Sequence, residues 1–205
     1  MKSLYAGWCR ALLAAGMLVG GCLVVHAADP AAKAAAPDAA AALQAYLESA
    51  KPGKHHEELA KMVGEWEAQV EHFMPGMPVE KSTATAKRSM IMGGRYLQEE
   101  FKGTMAGMPF EGIMTLGYDN NLKKYTSVWI DSMGTGTMVG HGTPSKGGML
   151  VECKGTMYCP MHQKEMACRT VTKMTDADHE IFEMYGPGPD GKETLAMRIH
   201  YTRKK

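Results

Sequence analysis

Neither sign of charge predominates in this chain: its 205 residues carry 23 Lys and Arg against 22 Asp and Glu. Such a balance gives no electrostatic case for a nucleic-acid partner, which is recognised through clustered cations. An uninterrupted apolar run of membrane-spanning length, about 20 residues, is also lacking. Complete catalytic signatures are absent too. No G-x-S-x-G elbow occurs, so no choice among scattered Ser, His and Asp has a spacing argument behind it. The stretch GPGPDGKE (Gly186 to Glu193) stops one residue short of a phosphate loop, with Glu193 where a magnesium-binding Ser or Thr belongs, and its Asp-Gly pair reads as a hairpin turn. HHEELA opens like a zinc-protease helix, but Ala60 stands where the second histidine is needed, leaving a solvated helix start. The carboxylates of QEE (Gln98 to Glu100) and EWE alternate along strands and read as exposed faces. The chain therefore reads as non-enzymatic, with no catalytic residue to nominate.

What is present begins with an address. Lys2 and Arg10 precede the apolar run ALLAAGMLVGGCLVV, which ends at VHA before Ala28. That is the order of a secretory signal peptide over residues 1–27, and it predicts a periplasmic or secreted protein. A competing reading takes VGGC as a lipobox with Cys22 acylated, the one route by which the chain would associate with a membrane. Removal of residues 1–27 leaves 23 basic residues less two against 22 acidic, still a near balance. Two of five cysteines, Cys9 and Cys22, lie in that segment, so the remaining three enter a compartment where disulfides persist.

Residues 28–53 form an Ala/Pro-rich tether followed by a helix. The composition collapses to Ala, Pro, Asp and Lys through Ala42, and Asp38 stands near a helix start in APDAAAALQAYLESA. HHEELAKMVG predicts a second short helix closed by Gly64. From Glu65 the pattern changes to alternation with turn residues at short intervals, about ten strands in all. Their short links require antiparallel neighbours. A meander of that length escapes two exposed edges by closing, so residues 54–205 are expected to form an all-β, up-and-down antiparallel barrel of a size that can hold one small ligand.

GEWE (Gly64 to Glu67), GGRYLQEEFKG (Gly93 to Gly103), PFEGIMTLGYDN (Pro109 to Asn120), YTSVWIDSMGTG (Tyr125 to Gly136) and FEMYGPGPDGKETLAMRIHYTRK (Phe182 to Lys204) resemble the bacterial domain of unknown function 1579 family. The resemblance runs from Lys54 to the C-terminus. It implies a barrel like those of lipocalins or fatty-acid-binding proteins, without an established activity and without catalytic residues to carry over.

GTMYCPMHQKEMACRT (Gly155 to Thr170), with Cys153 just upstream, is the densest chemistry in the chain. A four-residue loop CPMH with Pro160 in a type I turn would set Cys153 against Cys168 and Met157 against Lys164. Cys153, Met157, Met166 and Cys168 would then share an inner face. Three readings stay open. Cys153 and Cys168 suit a cross-strand disulfide; all the sulfurs suit ordinary core; and Cys159, His162, Met157 and Met166 suit a soft metal such as Cu(I). CPMH is similar to the metal-binding segments of copper and silver efflux proteins, but Gln163 replaces their next proline. The 19 methionines, only Met1 and Met17 of which precede the predicted cut, fit either a soft-metal protein or an adaptable core.

For a lumen ligand, Trp66, Trp129 and Tyr201 are the aromatic candidates and Arg95 the cationic one. On the last strand Leu195, Met197, Ile199 and Tyr201 form the apolar face, which sends Arg198 and His200 outside. The leading expectation is an exported barrel binding a small, mostly apolar molecule. Its competitors are a periplasmic Cu(I) protein and a structural envelope-interaction domain. Oligomeric state has no signal in the sequence.

Overall fold

The computed structural model describes residues 38–144, 150–159 and 163–205. The predicted signal peptide, its cleavage site and the first ten residues of the tether lie outside the described residues. Asp38 caps α1 (Ala39–Ser49) by accepting the Ala40 amide at 3.3 Å, a role for which a short carboxylate at a helix start is suited. No α1 residue is buried. What fixes its end is polar: Asn120 donates to the carbonyls of Ser49 and Lys51 at 2.9 and 2.7 Å, and Arg95 Nε donates to that of Ala50 at 3.0 Å.

The second helix, α2 (Lys54–Ala60), ends at Lys61 rather than at Gly64. Gly64 instead opens the first strand with φ +142°, where a β-carbon would run into the Arg203 guanidinium, so its freedom serves the exit from the helix rather than its closure. Leu59 and His56 of α2 are buried. His56 is therefore no solvated helix start; its Nδ1 accepts the Gly53 amide at 3.0 Å.

Ten strands follow: β1 (Gly64–His72), β2 (Glu80–Ile91), β3 (Tyr96–Met105), β4 (Met108–Asp119), β5 (Lys124–Asp131), β6 (Met138–Pro144), β7 (Leu150–Cys159), β8 (Lys164–Met174), β9 (His179–Pro187) and β10 (Glu193–Arg203). Each pairs with its sequence neighbour, and β1 pairs with β10 from Trp66 opposite Arg203 to His72 opposite Met197, closing the barrel. The expected all-β, up-and-down barrel is what the chain forms. Closure satisfies the two edges that a ten-strand meander would leave open. The tightest hairpin, β3 to β4, turns on Ala106 and Gly107 alone, both at positive φ (50° and 77°), as a two-residue turn matched to strand twist demands.

Alternation decides what faces inward. On β1, Trp66, Ala68 and Val70 are buried while Glu65, Glu67 and Gln69 are exposed, the period-2 pattern of a strand with one wet side. The same parity places Leu97 and Phe101 of β3, Phe110 and Leu116 of β4, Cys153 of β7, Met174 of β8 and Ile199 and Tyr201 of β10 in one core with Leu59 and Met62 from the α2 end.

Candidate functional site

The barrel interior divides into two halves of different character. At the end closed by α2 it is packed. Trp66 is fully buried, and its indole donates to the Met62 carbonyl at 3.1 Å. His55 stacks on Tyr118 with ring centroids 4.0 Å apart and contacts the Tyr125 hydroxyl at 3.1 Å. Burial, helped by neighbouring Lys54, holds the His55 imidazole below its usual range. Burial likewise pushes the Tyr125 phenol up to about 12.

Below this lid lies a buried ionic cluster. Arg88 of β2 donates through Nε to Glu99 of β3 at 2.5 Å, and through both terminal nitrogens to Glu180 of β9 at 2.7 and 2.9 Å. All three residues are buried. The Tyr201 hydroxyl donates to Glu99 at 3.4 Å, and the guanidinium stands 4.5 Å over the Tyr201 ring and 5.1 Å over that of Trp66. Burial raises the Glu180 carboxyl against the opposing pull of Arg88, and it raises the Tyr201 phenol well above its usual range. Two carboxylates and two aromatic faces surround Arg88, and three of its five N–H groups donate to those carboxylates.

Toward the other end, where the β7 to β8 turn lies, several inward residues are only partly covered. Met105, Met114, Trp129 and Met197 pack against the core yet remain partly exposed. Phe110 stacks on Trp129 with centroids 6.2 Å apart, and Phe101 meets both rings edge-on. The Trp129 indole donates to Asp131 at 2.8 Å. Gly112 stands opposite Asp131 in the ladder, and a β-carbon there would overlap the Trp129 indole. This half is an apolar cup with an aromatic floor and methionines along its wall.

The sulfur hairpin differs from expectation in register by two residues. Cys153 faces Thr170, Gly155 faces Cys168, Met157 faces Met166 and Cys159 faces Lys164. The loop is therefore 160–163 rather than CPMH: Cys159 belongs to the β7 ladder, and Gln163, at φ 51°, belongs to the turn. A shift of two keeps every side chain on its predicted face, so Cys153 and Cys168 are both buried. They are diagonal rather than opposed, about 7–8 Å apart by strand geometry, beyond the ordinary disulfide span. No disulfide joins the cysteines of the described residues, which corrects the expected Cys153–Cys168 bond. Burial pushes the Cys153 thiol up to about 11 and the Cys168 thiol in the same direction.

The nominated residues thus scatter. Trp129 lines the open cup. Trp66 and Tyr201 belong to the packed half beside the ionic cluster. Arg95 lies outside the lumen, donating to the Ala50 and Met92 carbonyls. Arg198 is outside, as expected, paired with Glu183 at 2.8 Å. Of the metal candidates, Met157 and Met166 are cross-strand partners, Cys159 ends β7 beside them, and His162 lies outside the described residues.

The ionic cluster is what sequence reasoning missed. Glu99, read as part of an exposed QEE face, is buried. Its signal was parity: Glu99 alternates with Leu97 and Phe101, Arg88 with Ala84 and Ala86, and Glu180 with Phe182.

Residues 51–203 match the model of the family described as Protein of unknown function (DUF1579). No curated protein matches the chain. Among solved structures, the crystal structure of Rv2717c from M. tuberculosis is similar with a TM-score of 0.58 at 14% identity, covering 76% of this chain and 100% of that one. The S-type phycobiliprotein lyase CPES from Guillardia theta is similar with a TM-score of 0.51 at 12% identity, covering 78% of this chain and 97% of that one. At such identities the likeness is one of fold alone.

Proposed function

This chain belongs to the DUF1579 family, and from that premise we propose that it is a non-enzymatic carrier holding a small, mostly apolar molecule in the turn-end half of its barrel. The observation that carries the reading is the contrast between halves. Most inward residues near α2 are buried, Met90 and Val151 being only partly so, whereas Met105, Met114, Trp129 and Met197 on the same inward face stay partly exposed. Apolar side chains that face a lumen without filling it favour a ligand that completes their burial, at roughly 25 cal/mol per Å² of apolar surface covered. Arg88, spent on Glu99 and Glu180, favours a neutral molecule over a carboxylate in the depth of the barrel. Export is part of the same reading, on the strength of the charged, apolar and small-residue order of residues 1–27.

The test uses a neutral fluorophore, N-phenyl-1-naphthylamine, with tryptophan emission as the energy donor. Saturable uptake with quenching of tryptophan is expected, abolished by Met197→Trp, which fills the cup. Absence of saturable uptake by the folded wild-type protein would overturn the reading.

A further inference from the structure

The inner wall formed by β6, β7 and β8 gathers sulfur in a way that the apolar-carrier reading does not require. Cys168 Sγ lies 3.6 Å from Met138 Sδ, although the two residues sit on strands separated by β7. They meet because the ladder runs Gly140 to Gly155 to Cys168 at that level, so β7 has no side chain between them. The backbones there are also closer than any other residue would allow, since a β-carbon on Gly155 would overlap the Val139 carbonyl oxygen. Met166 stands two residues from Cys168 on the same face, and Met157 is its cross-strand partner. Met157 is 37% exposed, so one end of this row of sulfur residues meets solvent.

We propose that Cys168, Met138, Met166 and Met157 form a site for a monovalent soft metal ion, Cu(I) by its chemistry, on the inner wall of the barrel. One thiolate and three thioethers are the donor set that selects Cu(I). Charge argues for the same ion. Cu(I) with one thiolate is neutral, which a poorly hydrated lumen tolerates, whereas a divalent ion would leave an unpaired positive charge there. Hard-ion alternatives lack donors, since the described residues contain no group of three His, Cys, Asp or Glu able to hold a metal. Binding is a proton-for-metal exchange. The Cys168 S–H bond breaks, its proton leaves to water, the Cu–S bond forms with the same electron pair, and the thioethers add lone pairs without change of oxidation state.

The site differs from the CPMH loop by using none of its residues, and it stands independently of the apolar-carrier reading. The purified full chain, reduced and anaerobic, is titrated with Cu(I) against the chromophoric chelator bicinchoninate, and the loaded protein is examined by copper X-ray absorption. One Cu(I) withheld per chain is expected, with sulfur as its only scatterer. Cys168→Ser and the double variant Met138→Leu/Met166→Leu should each lower affinity by more than the roughly 10- to 100-fold that loss of a supporting outer-sphere group costs. The leucine pair preserves volume, so it reads the ligands even if the serine variant fails to fold. The proposal is overturned if no Cu(I) is withheld from the chelator. It is equally overturned if nitrogen enters the shell and affinity falls only in Cys159→Ser/His162→Ala, which would move the metal to the loop. Naphthylamine uptake by the copper-free protein judges the carrier reading separately.

Discussion

Arg88 shows how one residue can set the chemistry of a whole interior. Buried between Glu99 and Glu180, it neutralises one of two carboxylates and leaves the cluster without a net positive charge to draw an anion. Replacing it with methionine leaves two buried carboxylates without a cation, a change expected to cost about 3–5 kcal/mol. The penalty should depend on pH with a defined sign. In the variant the Glu180 carboxyl, already raised by burial, loses the opposing pull of Arg88 and stays above the unfolded value of about 4.3, so the folded state binds more protons than the unfolded one. Stability is then fullest below that value and is lost as pH rises through the raised pKa. Urea unfolding at pH 5 and pH 8 should show the gap from wild type widening at the higher pH; a gap independent of pH would mean that the carboxyls had found other partners. This cluster was only half legible in the sequence. The parity of Glu99 with Leu97 and Phe101 pointed inward, but a lone carboxylate is so seldom buried that the exposed reading prevailed. Its compensating guanidinium lies 11 residues away, directly opposite on β2, whereas the second carboxylate lies 92 residues from Arg88, a proximity that only closure of the barrel creates.

Among the elements, the β7 to β8 hairpin is the instructive one. Its strands and its inner face were legible, because Cys153, Met157, Met166 and Cys168 alternate with Lys154, Glu165 and Arg169. Its register was not. Pro160 suited a turn position, and a loop of CPMH or one shifted to 160–163 gives the same facing, so alternation could not choose between them. The choice of register decides the chemistry, since it separates the two thiols expected to be bonded and brings Met157 against Met166. Close approach of β6 and β7 is the second lesson. The glycines at 140, 142 and 155 fall inside strands, where they let adjacent backbones and the Cys153 side chain pack together. Gly155→Val should therefore be far more damaging than the gain in β-propensity implies, with a loss of at least about 1–3 kcal/mol from overpacking. Thermal unfolding would register it, and an unchanged or raised Tm would show that the strands can part without cost.

Across the whole molecule, the fold was the most legible feature. Each of ten strands lies within a few residues of its expected place because alternation, turn residues and short links all favoured the same meander, and closure follows from the cost of open edges. The candidate site was far less so. Trp129 reached the cup, but Trp66 and Tyr201 became core and Arg95 clasps the outside, since strand parity assigns a face without saying which end of a barrel is packed. That division depends on α2, whose Leu59, together with Met62 just beyond its end, fills one mouth and leaves the other to methionines and an aromatic floor. The central claim is that the open half is completed by a ligand. Its most direct test is the mass of the protein isolated under native conditions from its own cells, measured before and after denaturation. The account predicts a non-covalent organic increment that disappears when the barrel unfolds; a native mass equal to that of the bare chain, unchanged after exposure to a lipid extract of those cells, would contradict it.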